Sequence, residues 1–408
     1  MKRVVITGFG GFTPIGAEWS VIEQHLRNRK TGIVTMHDWD KYIDMHTRLA
    51  APVQGFEQPA HYTRKRTRSM GRVALLATVA SERALAHAGL LDDPEISNGS
   101  MGVAYGSCTG STSAAADFFN LLVNHTMDGI TANTYLKMMG HTTAVNVGVF
   151  FELKGRVIPT SSACTSGSQG IGYAYEAIRY GKQLMMVAGG AEELCPTEAA
   201  VFDTLYATST MNTTPEKSPR PFDKERDGLV IGEGACSLIL EELEHAQARG
   251  APIYAEIVGF ACNSDGAHVT QPSAATMRIA MELALKDAQL SSDAIGYICA
   301  HGTATEHGDI AESNASSQLF GARTPISSLK SYMGHTLGAC GSIEAWLTIE
   351  MMNRNWFAPT VNLDNIDPRC GDLDYITGHG RELSTEYVMS NNFAFGGINT
   401  SLIFKRWS

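Results

Sequence analysis

Short apolar runs rich in β-branched residues alternate along this chain with longer segments of helical periodicity. The strand-like runs cover residues 4–7, 102–105, 183–188, 235–240, 253–259, 295–300 and 400–404. The helical segments cover residues 71–87, 166–180, 274–288 and 341–352. Strands that alternate with helices in this way predict an α/β fold with buried sheets.

No low-complexity tract or long linker divides the chain, so we expect two closely associated halves. Residues 163–167 and 337–341 both place small side chains at the start of a helix after a strand-like run. An internal duplication would explain this similarity. Two unrelated tight contacts between helix and sheet would explain it equally well, and the pattern leaves both open.

The bulk composition excludes several classes of function. A formal net charge of −10 over 408 residues argues against general nucleic-acid binding, which needs a basic surface. No apolar run is long enough to span a membrane, and the first residues have the pattern of a strand and turn rather than a signal peptide. The eight cysteines include no Cys-x-x-Cys pair, so neither a zinc site nor a disulfide scaffold is indicated. We therefore expect a reduced, cytoplasmic enzyme.

Cys164 has the local sequence of a nucleophile. The small residues at 161–163 permit a sharp turn from strand to helix, and Ser166 and Gly167 follow in the first helical turn. A thiol at this place feels the positive end of the helix dipole and free backbone N–H groups. Most cysteines are buried and inert, so the assignment depends on partners elsewhere in the chain.

Two histidines and one lysine are the candidate partners. His301 follows the apolar run 295–300, and His335 lies in a glycine-containing loop. Two histidines near one thiol suit a pair of N–H donors that hold a thioester carbonyl while negative charge develops on it. Lys330, close before His335 and after an apolar run, is predicted to be buried and to set the charge and protonation of the site.

Two glycine-rich loops differ in what they indicate. Residues 8–11 fail the G-x-G-x-x-G dinucleotide pattern because Thr13 occupies the place of the third glycine, so they predict a tight turn. In residues 391–399 two aromatic side chains precede paired glycines. This arrangement predicts a loop that can swing, or that brings bare backbone to a ligand.

Taken together, these motifs resemble those of the β-ketoacyl-acyl carrier protein synthases, of the elongating type found in dissociated bacterial fatty-acid and polyketide systems. The resemblance runs essentially from end to end. It is carried by Ala-Cys-Thr-Ser-Gly at 163–167, His-Gly-Thr-x-Thr-x-x-Gly-Asp at 301–309, Lys-x-x-x-Gly-His-x-x-Gly-Ala at 330–339 and Asn-Phe-x-Phe-Gly-Gly at 392–397.

The resemblance implies a thiolase-like five-layer α-β-α-β-α sandwich of two duplicated halves. Residues 1–250 would form the half with Cys164, and residues 251–408 the half with His301, Lys330 and His335. It also implies an acyl carrier protein as partner, substrates carried on its phosphopantetheine, and no further cofactor or metal. A dimer is implied as well, either of identical chains or with a homologous chain-length-factor subunit.

The resemblance further assigns catalytic roles. Cys164 would take the acyl chain from the carrier, with its own backbone N–H and that of Phe395 as oxyanion hole. His301 and His335 would bind the malonyl thioester carbonyl and favour decarboxylation, so that the enolate attacks the acyl group and gives a β-ketoacyl product. Lys330 and Glu344 would support the two histidines.

Substrate-contacting residues are implied in the same way. Thr303 and Thr305 would contact the pantetheine, and Phe395 would gate an acyl pocket lined also by Thr109 and Phe202. For the carrier-protein dock, the basic run 64–68 offers Lys65 and Arg68, although a solvated helix start would have the same sequence.

Related classes fit these residues less well. A thiolase-type acyl-CoA acyltransferase would use a second cysteine where Asn392 and Phe393 stand. Initiating and chalcone-type synthases use Cys-His-Asn rather than Cys-His-His. A chain-length factor lacks the cysteine.

The pathway is left open. Thr109 stands where synthases for longer saturated chains often carry a bulky aliphatic residue, and Leu229, Ala394 and Tyr206 also depart from common family residues. These departures fit a specialised synthase that extends unsaturated or aryl-capped polyene chains beside a chain-length factor. Housekeeping fatty-acid elongation is equally compatible.

Overall fold

The computed structural model describes all residues, 1–408. Its helices are α1 (Trp19–Arg27), α2 (Arg64–Thr67), α3 (Arg72–His87), α4 (Thr112–Asn124), α5 (Ala132–Met138), α6 (Thr142–Phe150), α7 (Ser166–Arg179), α8 (Pro196–Asp203), α9 (Leu243–Ala248), α10 (Ala274–Ala288), α11 (Glu306–Phe320), α12 (Lys330–Met333) and α13 (Cys340–Arg354). Its strands are β1 (Val4–Phe12), β2 (Val34–Thr35), β3 (Leu49–Ala51), β4 (Met101–Gly106), β5 (Val157–Pro159), β6 (Met185–Glu192), β7 (Ile231–Gly232), β8 (Gly234–Glu242), β9 (Ala255–Ser264), β10 (Ile295–Cys299), β11 (Pro325–Ser327), β12 (Trp356–Phe357), β13 (Asp374–Tyr375), β14 (Arg381–Glu382), β15 (Tyr387–Ala394) and β16 (Ile398–Arg406). None of these helices has the length and apolar character needed to cross a bilayer.

Eleven strands form one continuous sheet in the order β13-β11-β10-β15-β16-β9-β1-β8-β6-β4-β5. The antiparallel pair β1–β9 joins its two halves. On one side lie β1, β4, β5, β6 and β8, and on the other β9, β10, β11, β15 and β16. The five strands of each set can be numbered first to fifth in chain order. From the outer edge of the sheet to the β1–β9 junction, both sets then have the spatial order third, second, fourth, fifth, first. Strand β13 is added at the outer edge of the second set. The repeated topology resolves the question that the sequence left open in favour of duplication.

Helices occupy both faces of the two half-sheets. The central layer consists of α7 and α13, which pack against each other and are buried over almost their whole length. Helices α3 and α6 cover the outer face of the first half, and α10 covers that of the second, with α11 packed beside it. The predicted thiolase-like α-β-α-β-α sandwich is therefore confirmed, while the domain division at residue 250 stays a prediction.

All the strands and helices expected from periodicity are present, but several elements were not predicted. The pattern missed α11 because its buried face consists largely of Ser, Asp, Glu and Ala rather than of large apolar residues. It missed β15 because buried polar residues at 390–392 interrupt the apolar run. A helix or strand that buries polar groups gives no clear hydrophobic periodicity.

The proline-containing loop 213–223 is partly buried. Residues 218–223 are inaccessible at the end of the proline-containing segment 213–223. The carboxylate of Asp223 accepts hydrogen bonds from the backbone N–H groups of Asp364, Asn365 and Glu225. The backbone N–H of Phe222 donates to Asp309 at 2.7 Å. These bonds satisfy polar backbone that would otherwise be too costly to bury.

The central helices can approach closely because glycine lines their contact. A Cβ atom added to Gly341 of α13 would lie 2.6 Å from the backbone nitrogen of Ser168 on α7 and 2.7 Å from Oδ1 of Asn392. A Cβ added to Gly167 of α7 would lie 2.9 Å from the backbone nitrogen of Ser342. Since these neighbours are backbone or fully buried, they have little room to move.

Replacing Gly341 by alanine is therefore expected to destabilise the protein, because the added methyl group must push α7 and α13 apart. Overpacking of this kind lowers the free energy of unfolding by about 1–3 kcal/mol. Gly148→Ala in helix α6 is the matched control, since the added Cβ meets only a side-chain carbon of Val103, at 3.6 Å. Denaturant titration of both variants checks the prediction, and equal stabilities would contradict it.

Candidate active site

Cys164 lies on the sharp turn that leads into α7. Ala163, just before it, has a φ of 52°, a left-handed conformation that residues with a Cβ atom seldom adopt. Short hydrogen bonds hold the turn, among them those from the Ser166 backbone N–H and hydroxyl to the carbonyl of Ala163 at 3.1 and 2.7 Å. The result is a buried thiol, 4% exposed, directly ahead of the helix N-terminus.

Polar groups surround the sulfur of Cys164. Nε2 of His335 lies 3.0 Å from Sγ. The backbone N–H groups of Phe395 and of Cys164 itself favour the thiolate form of this sulfur. Burial raises the pKa of Cys164 to about 11, and the charge of Lys330 and the two N–H groups oppose this rise. The same two N–H groups could stabilise negative charge on an oxygen bonded to an acyl carbon at Sγ.

The hydrogen bonds of the two histidines determine their tautomers. Nδ1 of His335 lies 3.3 Å from the backbone N–H of Leu337, and Nδ1 of His301 lies 3.3 Å from Nζ of Lys330. An amide N–H and an ammonium group can only donate, so both Nδ1 atoms accept and both Nε2 atoms carry the proton. Burial, reinforced by the positive charge of Lys330, holds the pKa of both histidines well below its usual value. The site therefore offers two neutral N–H donors, on rings whose centroids are 5.1 Å apart.

Lys330 is 1% exposed and pairs with a buried carboxylate. Its ammonium group donates to Oε1 of Glu344, and Oε2 of Glu344 accepts from the side-chain amide of Asn392 at 2.7 Å. Burial disfavours the charge on Lys330, but nearby acidic groups including Glu344 raise its pKa above its usual value. Lys330 therefore stays charged, and its positive charge acts on Cys164 and on both histidines.

The donor set has the spacing of a metal site, but its chemistry does not fit one. Single ligand atoms of Cys164, His301 and His335 lie within 4.8 Å of one another. A histidine nitrogen binds a metal only through a free lone pair. To free Nε2 for a metal, the proton of each histidine would have to move to Nδ1. The new Nδ1–H would then face another donor, which is Lys330 for His301 and the Leu337 backbone N–H for His335. The geometry favours hydrogen-bond donation over coordination.

Two buried glutamates hold the loops that present these groups, and sequence analysis did not find them. Glu312 accepts from the backbone N–H groups of His301 and Gly302, both at 2.7 Å. Glu192 accepts from those of Cys108 at 2.6 Å and Gly338 at 3.1 Å. Burial raises the pKa of Glu312 to about 8 and that of Glu192 to about 7, opposed by these N–H groups. In the sequence, neither glutamate is marked by a motif or by hydrophobic periodicity.

A cleft of about 410 Å³ leads from the surface to the thiol. Cys164, His301 and His335 lie along it with the other lining residues. Thr303 and Thr305 also line it, and their hydroxyl groups are 2.9 Å apart.

Two aromatic residues of the cleft face each other. The ring centroids of Phe202 and Phe395 are 5.0 Å apart, next to Cys164 in one apolar cluster.

Asp309, named in the sequence motif without a role, accepts a hydrogen bond from the backbone N–H of Ala304 at 3.1 Å. Buried Arg226 lies beside Asp309 and helps to hold the threonine loop.

Three residues predicted to contact the substrate or the carrier protein lie outside the cleft. Thr109 does not line it; its hydroxyl group donates to Glu198 at 2.8 Å. Lys65 lies on α2 and Arg68 directly follows it; both are exposed, and neither forms a salt bridge. Their proposed contacts with an acyl chain and a carrier protein stay predictions.

Family models match the chain over most of its length. The N-terminal domain of beta-ketoacyl synthase matches residues 1–246, and the C-terminal domain matches residues 254–364. The 3-oxoacyl-[acyl-carrier-protein] synthase 2 of Vibrio cholerae is 38% identical over 413 residues, covering 99% of both proteins. The corresponding synthase 1 of Escherichia coli is 36% identical and covers 100% of this chain and 99% of its own.

Solved structures give the same result. A β-ketoacyl synthase from Burkholderia phymatum has a TM-score of 0.99 at 62% identity, with 100% of both chains covered. A type II polyketide ketosynthase, solved with its acyl-carrier protein and bound to the hexaketide, has a TM-score of 0.87 at 32% identity, with full coverage of both chains. A ketosynthase in complex with its chain length factor from Xenorhabdus doucetiae has a TM-score of 0.84 at 25% identity, covering 100% of this chain and 98% of its own.

Removing the charge of Lys330 is expected to raise the pKa of Cys164, because that charge favours the thiolate. The Lys330→Met, Glu344→Gln double variant removes the ammonium group without leaving its carboxylate partner unpaired. Since only the thiolate reacts, alkylation of Cys164 by iodoacetamide should be several-fold slower at any pH below the wild-type pKa of about 11. Mass spectrometry of the labelled protein measures the rate across a pH series.

The control for this experiment is Lys286→Met, which removes an exposed charge from the outer layer of the sandwich. It should leave the pH profile of alkylation unchanged. An unchanged profile in the double variant would show that Cys164 does not feel the charge of Lys330.

Proposed function

The chain belongs to the β-ketoacyl synthase family, and we propose that in it Cys164 holds the acyl group while His301 and His335 stabilise the enolate formed from malonyl-acyl carrier protein. The enzyme is an acyltransferase that carries out decarboxylative condensation to a β-ketoacyl-acyl carrier protein. The observation that carries the assignment of residues is the convergence of two neutral N–H donors on one buried thiol.

The first step is transfer of the acyl group to the enzyme. The sulfur of Cys164 attacks the thioester carbonyl of the acyl carrier, and the carrier's pantetheine thiol leaves with the proton. Negative charge develops on the carbonyl oxygen, and the backbone N–H groups of Cys164 and Phe395 are placed to receive it. These groups and the charge of Lys330 oppose the rise in the pKa of the thiol that burial causes.

The second step is the loss of carbon dioxide from the malonyl thioester. The bond to the carboxylate breaks, and its electrons form an enolate whose oxygen carries the charge. Nε2–H of His301 and Nε2–H of His335 donate to that oxygen. Neutral imidazoles suit this role because they hold the charge without protonating the enolate and stopping the reaction. The depressed pKa of each histidine keeps it neutral.

The third step forms the new carbon–carbon bond. The enolate carbon attacks the acyl carbonyl on Cys164, the carbon–sulfur bond breaks, and the thiolate leaves. Lys330 stabilises that thiolate and, with Glu344, holds His301 in place. Thr303 and Thr305 are proposed to bind the pantetheine arm in the cleft, and Phe395 to gate the acyl pocket beside Phe202.

The partner of this reaction is proposed to be an acyl carrier protein, as in the polyketide synthase complex described above. Lys65 and Arg68 support a dock for an acidic carrier, because they are exposed and unpaired on an otherwise acidic protein. A second proposed partner is another copy of the chain or a homologous chain length factor, as in the Xenorhabdus complex.

Exposed apolar surface supports such a dimer. Strand β5 ends the eleven-stranded sheet and pairs only with β4. Val157 on that strand is 45% exposed, and Val149 on α6, which packs against β5, is 72% exposed. An unpaired edge with apolar neighbours is a site of association. Native mass spectrometry of the chain alone, and together with a homologue that lacks the cysteine, distinguishes the two assemblies.

The proposed roles are tested by separating acylation from decarboxylation. Cys164→Ala should form no acyl-enzyme with acyl carrier protein, because the nucleophile is missing. His301→Ala and His335→Ala should still form the adduct but lose carbon dioxide release from malonyl carrier, by about 10²-fold or more. Intact-protein mass spectrometry and labelled carbon dioxide measure the two steps. An adduct in Cys164→Ala, or normal release in both histidine variants, would refute the assignment.

Reversing two charges tests the carrier dock. Lys65→Glu with Arg68→Glu should raise the KM for carrier-bound substrate, and more so at low salt, because exposed charges chiefly steer association. Turnover of a short pantetheine thioester should be unaffected. The matched control reverses Lys182 and Lys286, which are exposed elsewhere. An equal loss with both substrates would identify the basic cluster as structural.

A further inference from the structure

One buried carboxyl group has no assigned role and an unsatisfied atom. Glu198 on α8 is 4% exposed. Its Oε1 atom accepts a hydrogen bond from the Thr109 hydroxyl at 2.8 Å, but its Oε2 atom, which is inaccessible, has no partner. A buried polar atom without a partner is costly, and such atoms need an explanation.

Glu198 is the protonated member of a carboxyl pair. The single hydroxyl hydrogen of Thr109 lies between Glu198 and Glu192, whose Oε1 is 3.2 Å from the Thr109 oxygen. Glu192 already accepts from Ser107 and from the backbone N–H groups of Cys108 and Gly338, so it is the member of the pair that ionises first. Burial and the charge of Glu192 raise the pKa of Glu198 well above its usual value. At neutral pH, Glu198 is thus a carboxylic acid, and its inaccessible Oε2 atom has no partner.

This acid borders the space around the nucleophile. Thr109 directly follows Cys108, and Glu198 directly precedes Ala199. Cys108 and Ala199 belong to the same apolar cluster as Cys164, together with Phe202. We infer that an acyl group on Cys164 extends past Phe202 into this cluster. For a plain hydrocarbon chain, an apolar residue at position 198 would be more favourable, because it would leave no buried polar atom without a hydrogen bond.

We propose that Glu198 is a specificity-determining residue whose carboxylic O–H donates a hydrogen bond to an oxygen carried by the acyl chain on Cys164. The enzyme then selects chains that bear a hydroxyl or carbonyl oxygen over hydrocarbon chains of the same length. The inference rests on the proposed role of Cys164 as acyl carrier. A site with a buried donor discriminates strongly against the analogue without the acceptor, because that donor is then left unpaired.

The test compares matched acyl-carrier substrates in pairs of equal length, one ending in a hydroxyl group and one in a methyl group, over a series of chain lengths. The quantity measured is the ratio of acylation rates of Cys164 within each pair, by intact-protein mass spectrometry. The wild type should prefer the hydroxyl-bearing chain by about tenfold or more at one length or more, which is the effect of one good hydrogen bond. A ratio is insensitive to a partial loss of folded protein.

Two variants identify the residue responsible. Glu198→Met, close in size and apolar, should abolish or reverse the preference. Glu198→Gln should retain part of it, because an amide N–H also donates. Phe202→Leu, a change of an apolar neighbour, should affect both members of a pair alike.

The outcomes separate the inference from the proposed function. A wild-type ratio near one at every length would overturn the inference while leaving acylation of Cys164 intact. The same holds if Glu198→Met keeps the wild-type preference, or if it only weakens subunit association, since the missing acceptor would then come from a partner subunit. Absence of any adduct with any chain would instead remove the proposed function on which the inference depends.

Discussion

The chemistry of this protein depends on one buried positive charge. The ammonium group of Lys330 is removed from water, and the carboxylate of Glu344 is its salt-bridge partner. Because the charge persists, it makes Nδ1 of His301 an acceptor, adds to the burial that keeps both imidazoles neutral and opposes the effect of burial on the Cys164 thiol. A neutral residue at position 330 would remove all three effects at once. Three separate requirements of the reaction thus depend on a single ion pair.

Carboxylates also control the backbone of the site. Glu192 joins the loop after β4 to the loop after His335, and so links the two duplicated halves. Glu312 holds the backbone at His301 from within α11. A carboxylate that accepts two backbone N–H groups fixes a loop more tightly than a single bond, since both donors lose freedom together. The positions of nucleophile and donors follow from these clamps.

The sequence allowed the reactive groups to be predicted, but not what holds them. Cys164, His301, Lys330 and His335 lie in segments whose small residues and apolar flanks are visible along the chain, and the structure brings them together. Glu192 and Glu312 remained hidden because they bind backbone atoms of loops, and such contacts leave no periodic pattern in the sequence.

Other differences have a related cause. Helix α11 and strand β15 were not predicted because they bury polar residues, so their sequences show no clear contrast between buried apolar and exposed polar positions. Thr109 was expected at an acyl chain, but its immediate partners are two carboxyl groups contributed by β6 and α8, which no local pattern around residue 109 could indicate.

The duplicated fold places two cysteines in comparable positions with opposite fates. Cys164 precedes α7, Cys340 begins α13, and these helices pack side by side. The thiol of Cys340 lies 3.2 Å from the carbonyl oxygen of Cys164, to which it donates, and burial raises its pKa well above the usual value. The cysteine of the first half thus lies on the cleft that leads to the surface, while the corresponding cysteine of the second half supports the first through a hydrogen bond. The two halves share the topology of the backbone, whereas their different functions depend on the contacts of a few side chains.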